Sequence, residues 1–215
     1  MKVGILGSGD VARALGRGFA SRGHDVMLGS REPESEKLRT WKKEVGGRGS
    51  TGTSEQAATH GEMILVCVHG TGAEEAVSTA GPDHFQGKVV IDTTNPLDTS
   101  RGFPPGLFVG ITDSLGERLQ RKLPGAKLVK AFNTISSVQM VDPKFPGGAP
   151  ELMICGNDAG AKARVTEVAK ELGWPGTLDL GGIEASRWME AFVPLWVTVG
   201  MKLNTWHHAA KWVHP

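Results

Sequence analysis

Lys2-Val3-Gly4-Ile5-Leu6-Gly7-Ser8-Gly9-Asp10-Val11-Ala12 opens the chain and decides how the rest of it reads. Residues 2–6 are an apolar run suited to a buried strand, residues 7–12 a glycine-rich turn, and Val11 to Arg22 carry helical periodicity up to Gly23. Gly7 permits a tight bend, Gly9 lets a pyrophosphate approach the backbone, and the helix start offers unpaired N–H groups at a positive dipole end. Ala12 stands where the third glycine of the fingerprint often lies. Glycine turns are common, and context makes this one a nucleotide site: it sits between a strand and a helix, and a second strand, His24 to Gly29, follows.

The end of that second strand selects the nucleotide. An NAD site places Asp or Glu there, roughly 20 residues beyond the glycines, to bond the ribose 2′-hydroxyl. This chain has Gly29-Ser30-Arg31. A carboxylate would repel a 2′-phosphate, whereas a hydroxyl and a guanidinium bind it through charge-assisted hydrogen bonds. The expected cofactor is NADP(H); the other reading leaves Arg31 a solvated charge beside a turn.

The 215 residues suffice for one sizeable core. A net charge of +1 gives no reason to expect nucleic acid or an anionic membrane surface as partner. The N-terminus enters the first strand without the features of a signal peptide, and no apolar stretch approaches the ~20 residues of a membrane helix. A cytoplasmic protein is expected. Cys67 and Cys155 fall inside the expected strands Met63 to Val68 and Leu152 to Gly156, where thiols act as packing rather than as a redox pair.

Outward from the glycine turn, a helix is expected from Glu32 to Val45, a short strand from Gly49 to Thr53, and a capping box at Thr53-Ser54-Glu55-Gln56 opening a helix to His60. The unbroken apolar run Met63 to Val68 marks a central parallel strand, and its end, His69-Gly70-Thr71-Gly72, should face the ligand. Thr71 is expected to cap the next helix. His69 is placed to meet a nicotinamide, or is a turn histidine without ligand. Val89 to Asp92 ends in Thr93-Thr94-Asn95-Pro96, and Lys127 to Phe132 ends in Asn133-Thr134, so three strand ends deliver polar residues to one rim. Ser114 caps a helix to about Lys122, Asn157-Asp158 cap another to Leu172, and Thr177 to Leu180 is the last strand. The breaker-rich loop from Asp142 to Pro150 is a connector or a wall for a second substrate.

The architecture expected is a Rossmann-type doubly wound α/β domain with a mostly parallel sheet over residues 1–180, and a C-terminal helical segment over 181–215. Trp188, Phe192, Leu195, Trp196, Val199, Leu203 and Trp206 recur at helical spacing, with Pro194 expected to kink the helix. That face is core, subunit interface or substrate wall. His207 and His208 are adjacent and so diverge on a helix, and no metal site is expected.

The glycine fingerprint, Ser30-Arg31, Val-Lys-Ala-Phe-Asn-Thr-Ile-Ser at 129–136 and Leu-Met-Ile-Cys-Gly-Asn-Asp at 152–158 together resemble the coenzyme F420-dependent NADP oxidoreductase family. The chain is also similar to the cytoplasmic reductase domain of the STEAP metalloreductases. The likeness spans nearly the whole chain and implies an NADP(H)-binding homodimer that passes hydride to or from coenzyme F420 or another flavin-like co-substrate, FMN or FAD. Carried over by position, Ser8, Gly9, Asp10 and Val11 hold the pyrophosphate, Ser30 and Arg31 the 2′-phosphate, and Val68, His69, Asn95, Pro96 and Asn133 line the nicotinamide and acceptor side. Archaeal deazaflavin members carry His-Thr-Ile-Pro where this chain has Asn133-Thr134-Ile135-Ser136, which is closer to the STEAP-like branch.

Hydride transfer between stacked rings depends on proximity, with reacting atoms roughly 3 to 3.5 Å apart, so no side chain is expected to act as acid, base or nucleophile. The alternatives to F420 reduction are an NADPH-dependent flavin or ferric reductase and a non-enzymatic NADP(H)-sensing module whose tail docks a partner.

Overall fold

The protein is described by a computed structural model over residues 1–148 and 150–212. Ala149 of the breaker-rich loop and residues 213–215 of the expected tail lie outside the described residues. In chain order the strands are β1 (Lys2–Leu6), β2 (Asp25–Gly29), β3 (Gly49–Gly52), β4 (Met63–Val66), β5 (Val89–Asp92), β6 (Leu97–Asp98), β7 (Gly106–Leu107), β8 (Lys127–Ala131), β9 (Leu152–Gly156) and β10 (Thr177–Asp179). The α-helices are α1 (Asp10–Ser21), α2 (Glu36–Val45), α3 (Ser54–His60), α4 (Ala73–Thr79), α5 (Leu115–Lys122), α6 (Ala159–Glu171) and α7 (Ser186–Leu203).

Eight strands form one sheet in the order β10-β9-β8-β5-β4-β1-β2-β3, and every pairing is parallel except β8 with β9. The central strands are apolar on both sides because helices cover both faces. Ile5, Leu15, Phe19 and Trp41 fill one side, while Leu6, Ile64, Phe85 and Leu119 fill the other. The strand order reverses direction between β1 and β4. A ligand crevice in such a sheet lies outside the strands' carboxyl ends at that point, between the turn after β1 and the segment after β4.

Local signals hold where they are short-range. Thr53 and Gln56 make the reciprocal capping box, and the Ser114 and Asp158 side chains cap α5 and α6. Asn157 does not share that role: its Oδ1 accepts from the Ile183 N–H at 2.9 Å. Helix α2 begins four residues later than expected, because Pro33 disfavours helical backbone at Glu32, whose N–H instead donates to Ser30 Oγ at 3.1 Å. Thr71 does not cap α4. It lies in a 3-10 turn with its hydroxyl 3.0 Å from His69 Nδ1, and Gly72 takes the cap position.

Helix α7 runs unbroken through Pro194. The side it turns to the body carries Ser186, Met189, Glu190, Val193 and Val197, not the stripe read from the sequence. Trp188, Leu195 and Leu203 are 62%, 57% and 58% exposed, so most of the expected apolar face is not core. The breaker-rich loop spans two regions, and its end at Pro150 lines a small hollow with Thr134 and Ile135, just after the Asn133 rim. Asp142 pairs with Arg22 at 2.6 Å and its N–H donates to Leu172 O, which ties the loop's start to the end of α1 opposite the glycine turn. Among the described residues no helix is long and apolar enough to cross a membrane.

Candidate functional site

The glycine turn joins three strands. Gly7 has φ +132°, a backbone that side chains rarely adopt, and its N–H donates to Gly29 O at 2.8 Å. A Cβ here would run into the Cys67 carbonyl oxygen just beyond β4. Gly9 takes the N-cap position of α1 in extended backbone, and no side chain caps the helix. The first N–H groups of α1, from Asp10 onward, therefore have no intrahelical acceptor. A Cβ on Gly9 would meet nothing within 4 Å. Open space in front of unpaired donors at a positive helix end is a cradle for an anion such as a diphosphate. Asp10 turns its carboxylate onto the Arg13 guanidinium, and Val11 is half-buried behind the turn.

At the end of β2, the Ser30 hydroxyl donates to Ser8 Oγ at 3.3 Å. Ser30 is also fixed through its N–H, which donates to Gly52 O at 2.9 Å. Arg31 is exposed and makes no hydrogen bond or ion pair among the described residues. The structure thus brings Ser8 and Ser30 together, with exposed Arg31 the next residue in the chain.

A second group forms at the carboxyl ends of β4, β5 and β8, which are neighbours in the sheet. Val68 is half-buried and His69 exposed, while Pro96 is buried. Asn95 and Asn133 exchange hydrogen bonds: Asn95 Nδ2 donates to Asn133 O at 2.8 Å, and Asn133 Nδ2 donates to Asn95 Oδ1 at 2.9 Å. Asn133 Nδ2 also donates to Met189 O at 3.1 Å, which brings α7 to the rim. Asn133 Oδ1 is buried and has no hydrogen-bond partner among the described residues. The residue before it, Phe132, has φ +62°, a left-handed backbone costing about 1–3 kcal/mol in a non-glycine residue. Its fully buried ring stands edge-on to Trp174, 6.1 Å between centroids.

Beneath this rim lies a cluster that reading the sequence missed. Lys130, fully buried on β8, donates to Asp92 Oδ2 at 2.8 Å, Thr94 O at 2.7 Å and Glu190 Oε1 at 2.7 Å. Glu190 in turn accepts from the Leu115 and Gly116 N–H groups at the start of α5, each at 2.9 Å. Burial by itself would lower the Lys130 pKa, but the Asp92 and Glu190 carboxylates outweigh it and shift it upward. The available signal was a lysine inside the apolar run Leu128 to Phe132, since a lysine is almost never buried unless paired.

Neither thiol has reactive character. Burial, against a hydrogen bond with Thr93, pushes Cys67 up to about 12, and burial pushes Cys155 up to about 12. Both are free.

The family model described as NADP oxidoreductase, coenzyme F420-dependent, matches residues 2–96. Metalloreductase STEAP3 of Rattus norvegicus is 32% identical over 95% of this chain, which spans only 38% of that protein's length. The F420-dependent NADP reductase of Methanothermobacter marburgensis is 28% identical over 94% of this chain and 93% of its own. Among solved structures, a candidate F420-dependent NADP-reductase from Arthrobacter sp. FB24 superposes with a TM-score of 0.95 at 35% identity, covering 100% of both chains.

Proposed function

The chain belongs to the coenzyme F420-dependent NADP oxidoreductase family and is an NADP-dependent oxidoreductase, and from that premise we propose that it exchanges hydride between NADP(H) and the deazaflavin F420. The observation that carries the acceptor is the whole-length likeness to reductases named for this reaction, including one that the chain matches from end to end. Membership in an enzyme family leaves the non-enzymatic sensing module without support.

In this reading Gly7 shapes the turn, and Ser8, Gly9, Asp10 and Val11 hold the pyrophosphate through backbone N–H groups. Ser30 and Arg31 bind the 2′-phosphate. Val68, His69, Asn95, Pro96 and Asn133 line the nicotinamide and acceptor side. The two ring systems supply the hydride chemistry when bound, and the protein's contribution is to bind, orient and shield them from water. Adding NADPH and oxidised F420 to the protein should bleach the deazaflavin absorbance; no change above buffer would reject the proposal.

One observation favours a second reading, an NADPH-dependent flavin or ferric reductase. The chain has Asn133-Thr134 at the rim, and its likeness to STEAP3 covers 95% of its residues. NADPH oxidation stimulated by flavin with ferric chelate, and not by deazaflavin, would select this reading over F420.

We also propose that residues 1–180 form the NADP-binding unit and that the helical segment 181–215 pairs with a second copy. Exposed Trp188, Leu195 and Leu203 on α7 support that interface, since apolar side chains gathered on one helix at this exposure mark association surfaces.

A further inference from the structure

The Asp92–Lys130–Glu190 cluster is buried and touches no open surface, so its use lies in what it holds. Stability alone does not account for it, because apolar residues of the same volume often fold as well as a buried ion cluster or better. Its bonds are complete. Lys130 spends all three donors, Asp92 Oδ1 accepts from both the N–H and the hydroxyl of Thr94, and Glu190 takes two N–H groups of α5.

Each tie lies close in the chain to a member of the rim. Thr94 precedes Asn95, Lys130 stands three residues before Asn133, and Glu190 follows Met189, whose carbonyl accepts from Asn133. Both hydrogens of Asn133 Nδ2 are thereby committed, one to Asn95 Oδ1 and one to Met189 O. The carboxamide cannot turn over without losing both, and the oxygen left over is the buried, unpartnered Oδ1. The left-handed backbone of Phe132 sits between Lys130 and Asn133, and such a residue persists only where its surroundings over-determine it.

We propose that Lys130 and Glu190 are positioning residues: by fixing the Met189 carbonyl against β8 and the 93–96 segment, they hold Asn133 with Oδ1 as an acceptor for the N–H of the nicotinamide carboxamide. This rests on the NADP(H) reading above. It assigns the strained turn, the orphaned oxygen and the buried charges to one task.

The test compares NADP+ with 2′,5′-ADP, which carries the phosphates of the adenosine half and no nicotinamide. Glu190→Gln keeps the side chain's shape and removes its charge. It should weaken NADP+ about five- to tenfold, the size of one lost hydrogen bond, and leave 2′,5′-ADP within about twofold. Asn133→Ala should show the same split, and combining the two should cost little more than either alone. Equal losses for both ligands, no loss for either, or fully additive losses would overturn the positioning role. If Glu190→Gln does not fold, Thr94→Val, which removes only one hydroxyl bond to Asp92, should show a smaller split in the same direction, and no split there overturns it as well. Failure of the wild type to bind 2′,5′-ADP would instead strike the NADP(H) reading itself.

Discussion

The hydroxyls of Ser8 and Ser30 lie 3.3 Å apart although 22 positions separate them in the chain. The bond joins the glycine turn to the end of β2, so the residues proposed for pyrophosphate and 2′-phosphate form one surface. Ser30→Ala removes a neutral donor from it and should weaken NADPH by about tenfold, the low end of the range for a hydrogen bond to a charged group. NADH, lacking the phosphate, should be unaffected. Calorimetric titration of both cofactors checks this, and a matching loss for NADH would assign Ser30 to the fold of the turn.

Gly7 and Gly9 should separate stability from binding. Gly7→Ala places a methyl against the Cys67 carbonyl at a backbone of φ +132°, and should destabilise the fold by at least ~1–3 kcal/mol. Gly9→Ala has free space and extended backbone, so its stability should stay within ~0.5 kcal/mol of wild type. The methyl nevertheless enters the proposed diphosphate cradle, and NADPH affinity should fall about tenfold or more. Denaturation and titration of the two variants would contradict this if Gly9→Ala bound normally.

What the sequence shows about this fold depends on distance along the chain. The apolar runs of β1 and β4, the glycine turn, and the Thr53, Ser114 and Asp158 caps are settled within a few residues, and they are readable. Lys130 announces itself by interrupting a buried strand, yet its partners Asp92 and Glu190 stand 38 and 60 positions away, and no local rule names them. Helix α7 is apolar on more than one side. Periodicity identifies it as a helix but cannot say whether Trp188 or Met189 meets the body. The Asn95–Asn133 pair was readable as two polar strand ends, whereas the left-handed backbone of Phe132 beside Asn133 was not.

Alkaline pH should destabilise the protein in a way traceable to its thiols. Burial holds Cys67 and Cys155 at about 12, against an ordinary value of 9.0. Between those values the unfolded chain has lost protons that the folded chain keeps, so stability is full below pH 9 and falls as pH rises. The upward-shifted Lys130 adds a loss of the same sign above 10.5. Urea midpoints at pH 8.5, 9.5 and 10.5 should decline more steeply for wild type than for the Cys67→Ala, Cys155→Ala variant. Parallel declines would contradict the assignment.

The exposed face of α7 predicts the state of assembly. If Leu195 and Leu203 meet a second copy, wild type sediments as a dimer and Leu195→Glu, which buries an unpaired charge there, shifts it to monomer. A monomeric wild type at micromolar concentration would remove the proposed interface.

Ser30 and Arg31 are proposed to make this an NADP(H) site, and the affinity of Arg31→Ala for the two cofactors is the decisive measurement. Arg31 has no protein partner among the described residues, so its loss should leave the fold intact. A charge-assisted bond to the 2′-phosphate is worth about 1.5–3 kcal/mol, so NADPH affinity should fall roughly ten- to a hundredfold while NADH affinity stays near wild type. Equal losses for NADPH and NADH would mean that Arg31 acts on the shape of the site rather than on the phosphate, and the NADP(H) assignment would fall.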